Sequence, residues 1–223
     1  MTRPSLVLVH SPVLGPTSVQ PMARALSGLG WICLVPALND APSVAGHITA
    51  AAAAVPDGSV LVAHSGAGAF VPAIAAHAEG RVAGAVFVDA RLPDRGGVTA
   101  LAEPSMIHFL AGLARDGIVP PWSQWWGDGA FEAMVPDAAL AAGMRSEMRS
   151  LPLDFFRSEV AVPPGWPDTP CAYLQLSPAY DAEAADARAR GWSVAERAGT
   201  HLDPATRPVP TAAALDALLE RLP

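Results

Sequence analysis

Four short apolar runs punctuate the first 90 residues, at 5–10 (S-L-V-L-V-H), 31–38 (W-I-C-L-V-P-A-L), 59–64 (S-V-L-V-A-H) and 81–90 (R-V-A-G-A-V-F-V-D-A). Unbroken apolar character over so few residues is the pattern of a strand buried on both faces. Helix-compatible stretches separate the runs. In the first, Val19, Met22, Ala23 and Leu26 share one face. Thr17 or Ser18 is expected to cap that helix, and Gly28 and Gly30 to end it. A turn is expected at 39–42, and Ser43 is expected to cap an Ala-rich helix to about residue 55. Strands alternating with amphipathic helices fold as a mostly parallel sheet with helices on both faces, an α/β architecture.

The alternation stops after Arg91. Residues 91–168 show no clear buried strand, only helix-like pieces at 98–116, 137–150 and 153–160 between Pro- and Gly-rich turns. This stretch reads as an inserted helical cap. It carries four of the six tryptophans, Trp122, Trp125, Trp126 and Trp166. Alternation resumes with a strand at 171–176, a helix at 182–190, a strand at 192–197 and a closing helix at 211–222, with Leu215, Leu218, Leu219 and Leu222 facing inward. The expectation is one domain over 1–223, built on six strands, with the cap at 91–168.

With 223 residues the chain is long enough for one such domain. Its net charge of -7, with no lysine and no basic block, argues against a nucleic-acid partner. No apolar run of membrane-spanning length and no secretory pattern is visible, so a cytoplasmic chain without a membrane partner is expected. Cys33 and Cys171 each sit in an apolar run with no His/Cys cluster around them. They read as core residues in a reducing compartment, forming neither a disulfide nor a metal site. No cofactor is expected, and the partner is a small-molecule substrate bound by a monomer or homodimer.

Chemistry concentrates at 60–70, V-L-V-A-H-S-G-A-G-A-F. A strand stops at Ser65 and a Gly/Ala-rich helix follows at once, the shape of a nucleophile elbow. The usual pattern is G-x-S-x-G; here Ala63 and Ala67 hold the outer positions, and small residues still allow the tight turn. A serine hydroxyl needs a base. His10 and His64 end strands, and His47, His77 and His108 fall on predicted helices. His201 instead follows the last strand in R-A-G-T-H-L-D-P, on the same sheet edge as Ser65. It is the preferred base. The base needs an anion. Asp181, in the loop after the 171–176 strand, is preferred; Glu183 comes second and Asp89, at the end of the fourth strand, third. Asp203 lies too near His201 in sequence to be chosen. The Gly66 N–H, at a helix start just after Ser65, can donate to an oxyanion, and a second donor is expected from the loop after the first strand.

V-L-V-H at 7–10, A-H-S-G-A-G at 63–68, A-V-F-V-D-A-R-L-P-D at 85–94 and G-T-H at 199–201 together resemble the α/β-hydrolase fold superfamily over nearly the whole chain. The 85–94 segment is similar to that of the plant methylesterase and hydroxynitrile lyase group. The resemblance implies Ser65 as nucleophile, His201 as base, Asp181 as acid, and a sheet without the N-terminal hairpin of larger members. Two departures stand out. Where those relatives have His-Gly-x, this chain has His10-Ser11-Pro12, and the residue at Pro12 would give the second oxyanion N–H, which proline lacks. Val13, Ser11 or the Ser11 hydroxyl would have to serve. The lysine that the resemblance implies for cyanide release has no counterpart. Pro12, His64, Trp122, Trp125 and Trp126 are the expected pocket residues, the indoles suiting a flat or bulky apolar substrate.

These readings point to a serine carboxylesterase acting on a small-to-medium apolar ester. The alternative is a non-hydrolytic enzyme of secondary metabolism, a lyase, cyclase, dehydratase or isomerase, that uses the same pocket. A third reading, a binding protein on this scaffold, leaves the Ser/His/acid set without a purpose.

Overall fold

The computed structural model describes residues 3–38 and 43–222, so the turn expected at 39–42 lies outside the described residues. The strands in chain order are β1 (Ser5–Val9), β2 (Ile32–Leu34), β3 (Ser59–His64), β4 (Val82–Val88), β5 (Gly97–Ala100), β6 (Ile118–Val119), β7 (Leu151–Pro152), β8 (Glu159–Val162), β9 (Cys171–Gln175) and β10 (Ser193–Glu196). The helices are α1 (Gln20–Gly28), α2 (Val44–Ala53), α3 (Val71–His77), α4 (Pro104–Leu113), α5 (Ala130–Met134), α6 (Ala138–Glu147), α7 (Leu153–Phe156), α8 (Asp181–Ala189), α9 (Asp203–Thr206) and α10 (Pro208–Leu219).

Six strands form one sheet in the order β10-β9-β4-β3-β1-β2, and every pairing in it is parallel. Alternate side chains go to opposite faces. Val7, Val9, Leu61, Ala63, Ala85, Phe87 and Tyr173 pack with residues of α2 and α3. Leu6, Leu8, Val60, Val62, Val86, Val88, Ala172 and Leu174 pack with α1 and α10. The apolar runs are continuous because both faces are covered. The edge strands β10 and β2 are the exceptions, with no buried residue in either, and β2 is the plainer case. It is three residues long, pairs only with β1, and leaves Ile32 62% exposed. Cys33 is accordingly half-buried at an edge, whereas Cys171 is buried; both are free thiols.

Register positions the site. Val9 pairs with Ala63, Ala63 with Phe87, and His64 with Val88. The carboxyl ends of β1, β3 and β4 therefore finish level, and His10, Ser65 and Asp89 leave the sheet side by side.

Several local expectations are corrected. Neither Thr17 nor Ser18 caps α1, whose N-cap is Val19 with no side-chain bond. Thr17 is drawn away: its N–H and its hydroxyl both donate to the Glu147 carboxylate. Ser43 does cap α2, accepting from the Gly46 N–H. The helix after Ser65 begins as a 3-10 helix, Ser65–Phe70, before α3. Between β4 and β9 the chain is not purely helical. β5 pairs antiparallel with β8, and β6 with β7, so 98–100 and 159–160 are strand where helix was expected. Both pairs alternate or are very short, which hides them from a search for continuous apolar runs. Among residues of this segment, Trp122, Trp125, Phe131, Met144 and Phe156 form a third apolar cluster with Leu14 and Leu202, which flank the loops after β1 and β10.

Candidate active site

Ser65 is the residue on which β3 turns into the 3-10 helix, and it sits at φ 61°, the left-handed region. A non-glycine residue is held there only when its surroundings fix it. Here the Arg91 N–H donates to the Ser65 carbonyl at 3.0 Å. The close approach that the elbow needs falls on Gly68, not on Ala63 or Ala67. A Cβ at Gly68 would lie 2.0 Å from the Arg91 carbonyl oxygen. The 65–70 turn thus rests directly on the backbone that leaves β4.

His201 comes from the loop after β10. Its Nε2 is 3.0 Å from Ser65 Oγ, and its Nδ1 is 2.9 Å from Asp89 Oδ2. The Ser65 hydroxyl can donate to Nε2 while the Nδ1–H donates to Asp89. His64 lies under the His201 ring, with centroids 4.7 Å apart, and its Nε2–H donates to the His201 carbonyl at 2.9 Å. Tyr180 covers the other face at 5.1 Å and 13°. The loop is braced from behind. Thr200 Oγ donates to Asp203, whose carboxylate also pairs with Arg197. A Cβ at Gly199 would lie 2.1 Å from Asp203 Oδ2, so G-T-H needs its glycine.

The carboxylate is the main correction. Asp181 does not reach His201; its carboxylate accepts from the Gln175 side chain at the surface. Glu183, on the first turn of α8, does not reach it either. Asp89 does, because it leaves β4 beside β3 in a left-handed turn at φ 43°. It is fully buried, and each oxygen accepts two hydrogen bonds. Oδ1 accepts from the Leu176 and Ser177 N–H groups, and Oδ2 from the Ser177 hydroxyl and His201. Burial pushes the Asp89 carboxyl up. The hydrogen bond and charge of His201, with the Ser177 and Leu176 donors, outweigh that push and hold it below the usual carboxylate value. The signal in the sequence was a lone carboxylate ending a run buried on both faces, which must find partners.

Of the expected oxyanion donors, Gly66 lies in the first turn of the 3-10 helix, where leading N–H groups have no partner within the helix. Ser11 is buried, and its carbonyl accepts from Leu14 and Gly15 N–H groups and from the His10 ring. That turn explains Pro12, which sits at its second position, where a fixed φ suits proline. A Cβ at Gly66 would be 3.6 Å from Ser11 Oγ, so the Ser11 hydroxyl lies against the residue after Ser65. Val13 packs at the margin of the third apolar cluster.

The pocket residues separate. His64 is fully buried beneath His201 and cannot line a pocket. Trp122 and Trp125 are each 8% exposed, packed edge-on with Phe131 and Phe156 respectively, and the Trp125 indole N–H is donated to Pro120. They are core residues of the 91–168 segment. Trp126 is 45% exposed and stacks on Phe109. Pro12 is half-buried.

Among the described residues no cluster of His, Cys, Asp and Glu could hold a metal ion, and no helix is long and apolar enough to cross a membrane.

No family model matches the chain, and no curated protein sequence matches it. Solved structures do. An extracellular α/β-hydrolase from a Paenibacillus species is 16% identical with a TM-score of 0.77, over 97% of this chain and 99% of that one. Its description gives it structural and functional homology to a tobacco salicylic acid binding protein. Polyneuridine aldehyde esterase is 16% identical with a TM-score of 0.68, over 96% and 99% of the two chains. Tomato methylketone synthase I, solved with 2-tridecanone, is 13% identical with a TM-score of 0.72, over the whole of both. These matches span each neighbour almost end to end, sheet included. The chain has the α/β-hydrolase fold.

Proposed function

We propose that the chain is a serine hydrolase that cleaves small-to-medium apolar esters. The reading rests on one observation, the hydrogen-bonded row Ser65 Oγ–His201 Nε2, 3.0 Å, and His201 Nδ1–Asp89 Oδ2, 2.9 Å. Ser65 attacks the ester carbonyl and passes its proton to His201. The tetrahedral intermediate collapses, the C–O bond to the alcohol breaks, and the imidazolium protonates the departing oxygen. Water, deprotonated by His201, then releases the acid and restores Ser65. Asp89 keeps the Nδ1 proton in place and offsets the positive charge on the ring. The Gly66 N–H holds the oxyanion, with a second donor drawn from Ser11 or Val13 on the loop after β1, where the Ser11 hydroxyl lies against Gly66. Residues 91–168 act as a cap over this edge, their apolar cluster running into Leu14 and Leu202 beside the site. That continuity, and the exposed Trp126, support an apolar substrate. The two unpaired cysteines support a reducing, cytoplasmic setting.

A panel of chromogenic esters with short and medium acyl chains tests this. Turnover by the wild type and its loss by about 10⁴-fold or more in Ser65→Ala is expected. A fluorophosphonate should label Ser65 stoichiometrically. Undiminished turnover in Ser65→Ala rules the mechanism out.

One feature favours a second reading. Pro12 offers no N–H to an oxyanion, and one structural neighbour is a synthase solved with a ketone. A non-hydrolytic lyase, cyclase, dehydratase or isomerase would use His201 as acid and base without an acyl-enzyme. No fluorophosphonate label on a protein that still turns over its own substrate would select it.

A further inference from the structure

Hydrogen bonds alone do not hold the His201 ring through a reaction cycle. The bond between Ser65 Oγ and Nε2 is given up each time Oγ bonds to carbon, and a ring held at Nδ1 alone is free to tilt. What stops the tilt lies on its two faces. His64 is stacked on one at 4.7 Å and 27°, and Tyr180 on the other at 5.1 Å and 13°. His64 holds the main chain as well as the ring, since its Nε2–H donates to the His201 carbonyl at 2.9 Å. That bond places the His64 proton on Nε2 and leaves Nδ1 without a partner.

Each ring comes from a segment that already serves the site. His64 is the last residue of β3, next to Ser65. Tyr180 ends the short 3-10 turn Pro178–Tyr180, and Ser177, just before that turn, is pinned to Asp89 by its N–H and its hydroxyl. The segment that satisfies the carboxylate therefore also carries a ring to the base. His64 is fully buried and Tyr180 half-buried. Burial pushes the Tyr180 phenol up to about 12 and the His64 imidazole down, so both rings stay uncharged.

We propose that His64 and Tyr180 are positioning residues that clamp His201 between two uncharged ring faces, keep its nitrogens in line with Asp89 and Ser65, and favour the imidazolium over the neutral ring. The inference rests on the reading of His201 as the base for Ser65. A cation is attracted to an aromatic face within about 6 Å, and the attraction grows when water is excluded. His201 carries that charge only after it has taken the proton. The clamp is therefore stronger in the transition state than in the resting site, and its effect falls on kcat. Neither ring gives or takes a proton; both act through His201.

The test compares Tyr180→Leu, which removes the flat face, with Tyr180→Phe, which keeps it and removes only the hydroxyl. Equal melting temperatures establish that both variants fold. The readouts are the rate of fluorophosphonate labelling of Ser65, kcat and KM on the best ester of the panel, and the proton NMR line of His201 Nδ1–H. Tyr180→Leu is expected to slow labelling and kcat by about tenfold or more and to move KM less than about threefold. Its Nδ1–H line should broaden as the ring gains freedom to leave Asp89. Tyr180→Phe should bring both rates to within about threefold of wild type and keep the line sharp. His64→Gln keeps an N–H for the His201 carbonyl, removes the other face and should repeat the Tyr180→Leu result; if it does not fold, the Tyr180 pair decides alone. Full rates in Tyr180→Leu, equal losses in Tyr180→Leu and Tyr180→Phe, a loss in KM alone, or an Nδ1–H line as sharp in Tyr180→Leu as in wild type overturn the clamp. Wild-type labelling keeps the two readings apart. If the wild type is not labelled, the assignment of Ser65 and His201 fails; if it is labelled and Tyr180→Leu matches it, only the clamp fails.

Discussion

Asp89 and Asp181 differ in sequence context by little and in environment by a great deal. Asp89 has four donors and no solvent; Asp181 has one side-chain partner at the surface. An asparagine at 89 can still accept from Leu176 and Ser177 through Oδ1. Its NH₂ would then face the His201 Nδ1–H, so the ring must flip its tautomer and present a proton, not a lone pair, to Ser65. Asp89→Asn is therefore expected to lower kcat by about 10⁴-fold with a small change in KM. Asp181→Asn should stay within about twofold of wild type. A reversed ranking in steady-state kinetics would return the acid role to Asp181. The juxtaposition of Ser65 and His201 was legible because Ser65 follows β3 and His201 lies in the loop after β10, and the carboxyl ends of parallel strands share one edge. The carboxylate that pairs with His201 was not, since every carboxylate near a strand end meets that criterion. The choice among them was made by backbone: a left-handed turn at Asp89 and two N–H groups aimed at it. The stack of Tyr180 on His201 gave no signal in the sequence, because a tyrosine in a loop has many uses.

At the scale of elements, the elbow works because two chain segments touch backbone to backbone. The motif letters at Ala63 and Ala67 suggested where small residues are needed; the contact places that need at Gly68, against the Arg91 carbonyl. Gly68→Ala cannot be absorbed by a side-chain rotation, and a destabilisation of about 3 kcal/mol or more is expected in urea unfolding. Gly66→Ala meets only Ser11 Oγ at 3.6 Å, an ordinary contact, and should cost less than about 1 kcal/mol. Similar losses for the two would mean that the elbow is not held by this contact. The same logic separates what was legible among the strands. The inner strands β1, β3, β4 and β9 are continuous, largely buried apolar runs, whereas the edge strands β2 and β10 are not, yet all six overlap their expected spans. The pairs β5–β8 and β6–β7 were missed. β8 alternates buried with exposed residues, and β6 and β7 are two residues each, held by partners far away in sequence.

The whole molecule hides histidines. His10 ends β1, His47 lies on α2 and His64 ends β3, and all three are at most 1% exposed. His10 and His47 meet edge to face at 5.8 Å, and His64 stacks under His201. Among the described residues, His10 Nε2, His47 Nε2 and His64 Nδ1 have no hydrogen-bond partner. Burial drives the His10 and His47 pKa values down to about 4, with bonds to backbone opposing it weakly and, for His47, the neighbouring His10 adding to it. His64 is lowered too, by burial and then by His201. A histidine released by unfolding titrates near 6.5. Between pH 6.5 and about 4 the unfolded chain therefore binds protons that the folded chain refuses, and stability must fall as pH falls through that window. Above pH 6.5 both states are neutral at these positions and the contribution is complete. A shift from 6.5 to about 4 corresponds to roughly 3 kcal/mol per histidine at the bottom of the window, so two such groups approach the whole stability of an ordinary domain. The expected result is a urea midpoint that is level from pH 7 to 8 and drops steeply below pH 6.5. A midpoint constant from pH 7 to 4.5 would show that these side chains are not held neutral by the fold.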